Sequence, residues 1–375
     1  MAVVVPIYAR SLAAVVGALL VLATGASVVG TLIVPRVVGG WLTGWSQAVV
    51  IRAFRLATSG IAEYRRRDRI LTGEAAGILV AQLVGWLAVA FVGYALLLWP
   101  FASGGVVSAF TDAGSALFTL GFAVPSGAGP KLIVYIAAGT GLVIVSLQIA
   151  YLPTLYSAFN RRETEVALLN ARAGVPSWGP ELLARTHYAL GSGVSTLDTL
   201  PELYTRWERW AADVAESHTT YLPLVRFRSP RPLSSWVTAL LAMLDSAALY
   251  LSLSPQAAPV VPARLFLRGG FLCFNEIAGA VGIQVPEESD PNSPIRLTYQ
   301  EFLDAVERMR DVDFPIERDP ADAWPDFVGW RLNYEQAAYS LAAEIDAVPA
   351  LWSGPRKTGD PAIRPIRPPL GRPPK

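Results

Sequence analysis

Residues 101–130 read FASGGVVSAFTDAGSALFTLGFAVPSGAGP. One charge, Asp112, stands in the whole stretch. It is too apolar for a solvated loop, and its scattered glycines and Pro125 leave no run long enough to cross a bilayer. On either side lie charge-free runs of 26 residues (75–100) and 29 residues (132–160), and a third of 25 residues covers 11–35. The hydrocarbon core of a membrane is about 30 Å thick and takes about 20 helical residues. Three spanning helices are therefore expected, with the stretch between the second and third dipping into the bilayer as a short helix and an extended return. Backbone that is not helical is tolerated at membrane depth only where protein buries it or where it lines a water-filled path. Such a re-entrant segment implies a pore or a cavity.

Composition agrees. The 375 residues are 53% hydrophobic and 16% charged, with a formal net charge of +1 and a mean hydropathy of +0.39. A soluble domain averages about 25% charged residues. This excludes a disordered chain, a coiled coil or an ordinary cytosolic enzyme as the first reading, and no catalytic constellation is visible. A near-zero net charge lacks the basic stripe that nucleic acid requires, so no nucleic-acid partner is expected. A single cysteine, Cys273, excludes a disulfide framework and a thiolate zinc cluster. Two histidines, His187 and His218, are too few for a histidine-based metal site. Only three of the basic residues are lysines (Lys131, Lys357, Lys375), a bias that suits a GC-rich bacterial genome.

Arginine placement orients the helices. The stretch 36–74 carries seven arginines against Glu63, Asp68 and Glu74, and short loops rich in Lys and Arg stay in the cytoplasm. The N-terminus and residues 101–130 are then outside, and Arg161 and Arg162 mark the cytoplasmic end of the third span. A multi-pass protein of the bacterial inner membrane with a cytoplasmic C-terminus is expected. Tyr8 and Trp99 fall at the outer interface, and Tyr151 and Tyr156 near the inner one. A cleavable signal peptide is the alternative for residues 11–35, but the apolar run is too long for a typical one. Trp41, Trp45, Val49, Val50 and Phe54, interleaved with Arg52 and Arg55, read as an amphipathic helix on the inner leaflet or as a plain connector.

Within the central stretch, Thr119-Leu120-Gly121-Phe122-Ala123 resembles the Thr-Val-Gly-Tyr-Gly selectivity filter of pore-loop potassium channels, and it stands where that family places it, between a short pore helix and the inner helix. The resemblance covers residues 75–162. It implies a two-transmembrane pore domain, here with an extra N-terminal helix, assembled from four copies. In that family filter carbonyls replace the hydration shell of K⁺. Carried over, the carbonyls of Thr119, Leu120, Gly121 and Phe122, with the Thr119 hydroxyl, line the ion path behind a pore helix at 107–118. The chain departs from the family at the last filter glycine (Ala123), at the threonine before the filter (Phe118), at the aspartate after it (Val124) and at the pore-helix glutamate (Ser115). A positive φ of the kind that glycine adopts would strain Ala123 by roughly 1 kcal/mol.

The inner helix offers Gly139 and Gly141 near its middle and Pro153 further on as candidate gating bends; close helix packing is the equal alternative for the glycines. Gln148 either faces the pore or bonds a neighbouring helix. Asp112 either concentrates cations at the outer mouth or braces the filter, or it is an exposed pore-helix residue near the interface.

Residues 161–353 read as a mainly helical cytosolic domain. Thr199-Leu-Pro-Glu202 and Thr298-Tyr-Gln-Glu301 fit capping boxes. Trp207 and Trp210 read as core. Glu216 with His218, and Asp198 with Glu202, read as helix faces and caps rather than ligands. Residues 234–254 are apolar enough for a fourth span, but Asp245 in their middle favours a buried helix. The Pro- and Arg-rich residues 354–375 read as a disordered tail.

The expected organisation is therefore an N-terminal span (1–35), a basic cytosolic loop (36–74), a pore domain (75–160), the helical domain and the tail. The fold class is all-α membrane protein. The function is passive cation transport, with potassium the expected ion, by a homotetramer in the lipid bilayer that needs no cofactor beyond the permeating ion. The alternative is a membrane-anchored sensor or interaction protein whose pore loop does not conduct.

Overall fold

The computed structural model describes residues 7–34, 40–188, 196–285 and 293–366. The end of the expected tail, from 367 on, lies outside the described residues, as do the first six residues and Arg36. Among the described residues the ordered elements are helical, apart from one isolated bridge between Ala350 and Ile363. In chain order the α-helices are α1 (Ile7–Leu32), α2 (Trp41–Thr58), α3 (Tyr64–Leu71), α4 (Glu74–Leu98), α5 (Gly105–Leu117), α6 (Ala128–Ala173), α7 (Gly179–Tyr188), α8 (Leu200–Thr220), α9 (Trp236–Leu253), α10 (Val260–Ala280), α11 (Tyr299–Arg310), α12 (Pro320–Arg331) and α13 (Glu335–Glu344). They group into two compact units, Met1–Ser59 with Gly73–Tyr156, and Gly60–Thr72 with Ser157–Lys375.

Among the described residues four helical stretches are long and apolar enough to cross a membrane: Tyr8–Leu32, Tyr64–Phe101, Ala128–Ala173 and Trp236–Leu253. The first three leave most of their apolar surface uncovered, whereas every residue of α9 is buried.

In the first unit α1 crosses α4 at a pair of glycines. A Cβ on Gly17 would stand 2.5 Å from the Gly93 carbonyl oxygen, so the backbones meet where neither residue has a side chain. Trp86 donates its indole N–H to Ser27 Oγ at 3.0 Å, which satisfies the one polar atom of a fully buried ring. On α2, Val50 and Phe54 close over Gly77, while Trp41, Trp45, Val49 and Leu56 are exposed. Tyr94 on α4 and Thr140 on α6 share a hydrogen bond of 2.6 Å.

The second unit is built around α9. Its apolar sequence needs no polar face because α7, α8, α10, α12 and α13 surround it. Asp245, in the middle of α9, is matched by the buried Arg331, which also donates to Glu335, to the Tyr339 hydroxyl and to the Trp352 carbonyl. Trp207 and Trp210 lie in the same core, their rings 4.5 Å apart.

Three expectations are corrected. The capping box at Thr199 does not form: Thr199 sits in helical backbone and its hydroxyl turns back to the Thr196 carbonyl at 2.7 Å. The box at Thr298 does form, with both reciprocal bonds to Glu301. The inner helix does not end near residue 160; α6 runs through Pro153 and on to Ala173. Residues 354–366, expected as part of the disordered tail, are packed against their own unit, with Arg356 buried and donating to the carbonyls of Ala347, Val348, Ser353 and Gly354.

Candidate functional site

Helix α5 is short because its sequence stops it. At its C-terminus the Thr119 N–H bonds the Ala116 carbonyl at 2.9 Å and the Leu120 N–H bonds the Ser115 carbonyl at 2.8 Å. This is the paired closure of a Schellman cap. Such a cap needs a left-handed residue, and the chain supplies Thr119 with φ +56° rather than a glycine. Gly121 follows with φ +72°. Ala123 does not take a positive φ, so the strain expected there falls on Thr119 instead.

The end of α5 lies against α6 well inside that helix. A Cβ on Gly141 would overlap the Leu117 carbonyl oxygen, so this glycine is where the α5 terminus seats. Gly141 is thirteen residues into α6, about 20 Å from its start at 1.5 Å per residue. On the other side Phe91 of α4 meets the Phe110 ring edge-on at 5.3 Å and the Phe118 ring at 6.0 Å. Phe91 is itself about two turns below the end of α4. Residues 105–118 thus fold back between α4 and α6.

The five residues Thr119–Ala123 are then held by one side chain. Ser115, buried on α5, accepts a hydrogen bond from the Ala123 N–H at 2.9 Å, and its hydroxyl lies 3.1 Å from the Ala123 carbonyl oxygen. Among the described residues the carbonyls of Thr119, Leu120, Gly121 and Phe122 accept no hydrogen bond. Leu120, Phe122 and Val124 are exposed, at 63%, 67% and 63%. The Thr119 hydroxyl is engaged by the Phe118 carbonyl at 2.8 Å.

The structure separates the remaining candidates. Asp112 is only 8% exposed, on the face of α5 that also buries Ala109 and Ala116, so it is not an exposed pore-helix residue. Gly139 has open space where a Cβ would go, whereas Gly141 has none. Gly141 is thus required for the close seat of α5, whereas nothing packs against Gly139. Pro153 sits inside a continuous helix. Gln148 is buried with Oε1 unpartnered, and Gln82 on α4 is buried with Nε2 unpartnered. Gln82, like Gln148, is a lone amide in an apolar run, the one signal in the sequence that marks it.

In the second unit the part of α6 beyond Tyr156 carries Arg161 and Arg162. Arg161 pairs with Asp213 at 2.9 Å. Arg162 is fully buried and donates to the carbonyls of Leu224 at 2.8 Å and Phe227 at 2.7 Å, with His218 Nε2 2.9 Å away. Burial, with the Arg162 charge beside it, holds the His218 imidazole well below its ordinary range. Its ring nitrogens are occupied by Arg162 and by Ser217 at 3.1 Å.

Comparison with protein-family models, with curated proteins and with solved structures finds no match to this chain.

Proposed function

We propose that this protein is a passive cation channel of the pore-loop kind, with potassium as its expected ion and four copies around one path. The observation that carries the reading is the seat of the Leu117 carbonyl on Gly141. A short helix that ends alongside the middle of a long apolar helix presents its C-terminal turn at membrane depth, because α6 is long and apolar enough to span. The turn that follows is exposed, and its carbonyl oxygens have no partners among the described residues. Unsatisfied carbonyls cost several kcal/mol each in hydrocarbon, so they require water, an ion or another copy of the chain. A single loop cannot enclose an ion, and a fourfold ring of such turns can.

In this reading α1, α4 and α6 span the inner membrane with the N-terminus outside, while the fully covered α9 belongs to the cytosolic domain. Gly139 serves as the bend of the inner helix. A second reading, a membrane anchor with a pore loop that does not conduct, is favoured by one observation: the Thr119 hydroxyl is turned to Phe118 rather than left free for an ion.

Flux decides between them. Full-length protein reconstituted in liposomes is expected to take up Rb⁺ and K⁺ down a gradient, and native mass spectrometry in detergent is expected to show a tetramer. A monomer or dimer that passes no monovalent cation would establish the anchor instead.

A further inference from the structure

Helix α3 lies in sequence between α2 and α4, yet it is built into the second unit by charge. Arg67, 1% exposed, donates from Nε to Asp346 at 3.0 Å and from Nη1 to Asp360 at 3.2 Å and to the carbonyls of Ile61 and Ala62. Its neighbour Asp68 accepts from Arg228 at 2.5 Å, and Arg228 donates in turn to the carbonyls of Ile345 and Asp346. Tyr64 packs with Val348 and Leu233, and Ile363 lies against the same cluster.

Asp360 arrives on the segment 354–366. That segment is fastened at separate points: the buried Arg356, the Lys357–Glu344 ion pair at 3.2 Å, the Asp360 carboxylate, the Ile363 N–H on the Pro349 carbonyl at 2.7 Å, Pro365 against Gly174, and Ile366, whose N–H bonds the Val175 carbonyl at 2.9 Å and whose carbonyl accepts from Arg185 at 3.0 Å. Most residues between the anchors are exposed. Burial alone would raise the Asp360 carboxyl, but hydrogen bonds from Arg67 and Thr358 hold it below its ordinary value, so it carries its charge at neutral pH.

We infer that residues 354–366 form a releasable latch whose Asp360 locks the linker helix α3 into the second unit. The argument is one of coupled burial. With Asp360 gone, the buried Arg67 keeps Asp346 but loses its second carboxylate, which leaves part of its guanidinium without an acceptor, a costly state for a buried charged donor. Hydrating those donors requires α3 to open as well, with loss of the Asp68–Arg228 pair and the Tyr64 contacts, so latch and helix leave together. A mostly exposed segment, held at separate points, belongs to the low-stability end of a fold and can open without the core. Thr72 and Gly73 join α3 directly to α4.

Hydrogen–deuterium exchange on the full chain in nanodiscs tests it. In Asp360→Asn, peptides covering 60–72 and 354–366 should both exchange roughly ten-fold faster or more, as expected for losing a charged hydrogen bond, while α9 peptides keep the wild-type rate. Unchanged protection of 60–72, or acceleration spread equally through α9, overturns the latch. The wild-type protein gives a second arm that needs no variant. Under sub-denaturing urea the two segments should share one opening free energy, lower than that of α9; two separate openings overturn the proposal. Wild-type liposomes that pass no Rb⁺ defeat the channel reading and leave the exchange result standing.

Discussion

Four residues play distinct physical parts that can be measured one at a time. Ser115 holds Ala123 through a single hydroxyl. Ser115→Ala should cost about 1–2 kcal/mol, because it leaves the Ala123 N–H without its acceptor, and it should reduce any flux; Ser115→Thr keeps the oxygen and should recover most of both. Thermal melting and Rb⁺ uptake read the two effects. The glycines of α6 form a matched pair. Gly141→Ala drives a methyl into the Leu117 carbonyl and should destabilise by about 1–3 kcal/mol, the usual cost of overpacking. Gly139→Ala meets nothing and should leave stability within about 0.5 kcal/mol, so a changed open probability in that variant would come from the bend alone. His218 ties stability to pH. The folded imidazole stays neutral, while the unfolded one takes up a proton below its ordinary pKa of 6.5. Its contribution is full above that pH and is lost as pH falls beneath it, by up to about 1.4 kcal/mol per pH unit. The melting-temperature advantage of the wild type over His218→Gln should accordingly shrink between pH 7.5 and pH 5.5.

At the scale of the elements, local patterns were legible and distant partners were not. The long charge-free runs announced α1, α4 and α6, and an apolar stretch too broken to span announced α5. The cap at Thr298 was readable because both of its bonds lie within three residues. The same pattern at Thr199 misled, since Pro201 and the preceding turn leave Thr199 in helical backbone, where its side chain reaches back to Thr196. Thr298→Ala should thus cost about 1 kcal/mol in thermal unfolding, whereas Thr199→Ala should fall within about 0.5 kcal/mol. The basic stretch at 65–69 read as a solvated inner loop because composition shows a charge and hides its partner. Arg67 finds Asp346 and Asp360, 279 and 293 residues away. For the same reason residues 354–366 looked like an idle tail: proline and arginine in excess resemble disorder until the carbonyls that Arg356 binds are known. The site divided likewise. The order of short helix, Thr119–Ala123 and long helix was visible, but the strain at Thr119 and the brace from Ser115 belong to three-dimensional closure.

For the molecule as a whole, the proposed path exists only in the assembly, and that makes a quantitative demand. Gly121 adopts φ +72°, a backbone that an alanine resists by roughly 1–2 kcal/mol. Gly121→Ala should leave the second unit folded, because that unit has its own core around α9 and shares no residue with the filter segment. It should also distort the ring of carbonyls in every assembly it enters. If the path needs four intact turns related by cyclic symmetry, one altered copy is enough to spoil it. Co-expression of wild-type and Gly121→Ala chains at graded ratios should then lower Rb⁺ flux as the fourth power of the wild-type fraction, with the amount of assembled protein unchanged. A linear decline would mean that each chain conducts by itself, and a quadratic one would mean that pairs do. Either result would remove the shared path on which the channel reading depends, while leaving the packing of α5 between α4 and α6 as it stands.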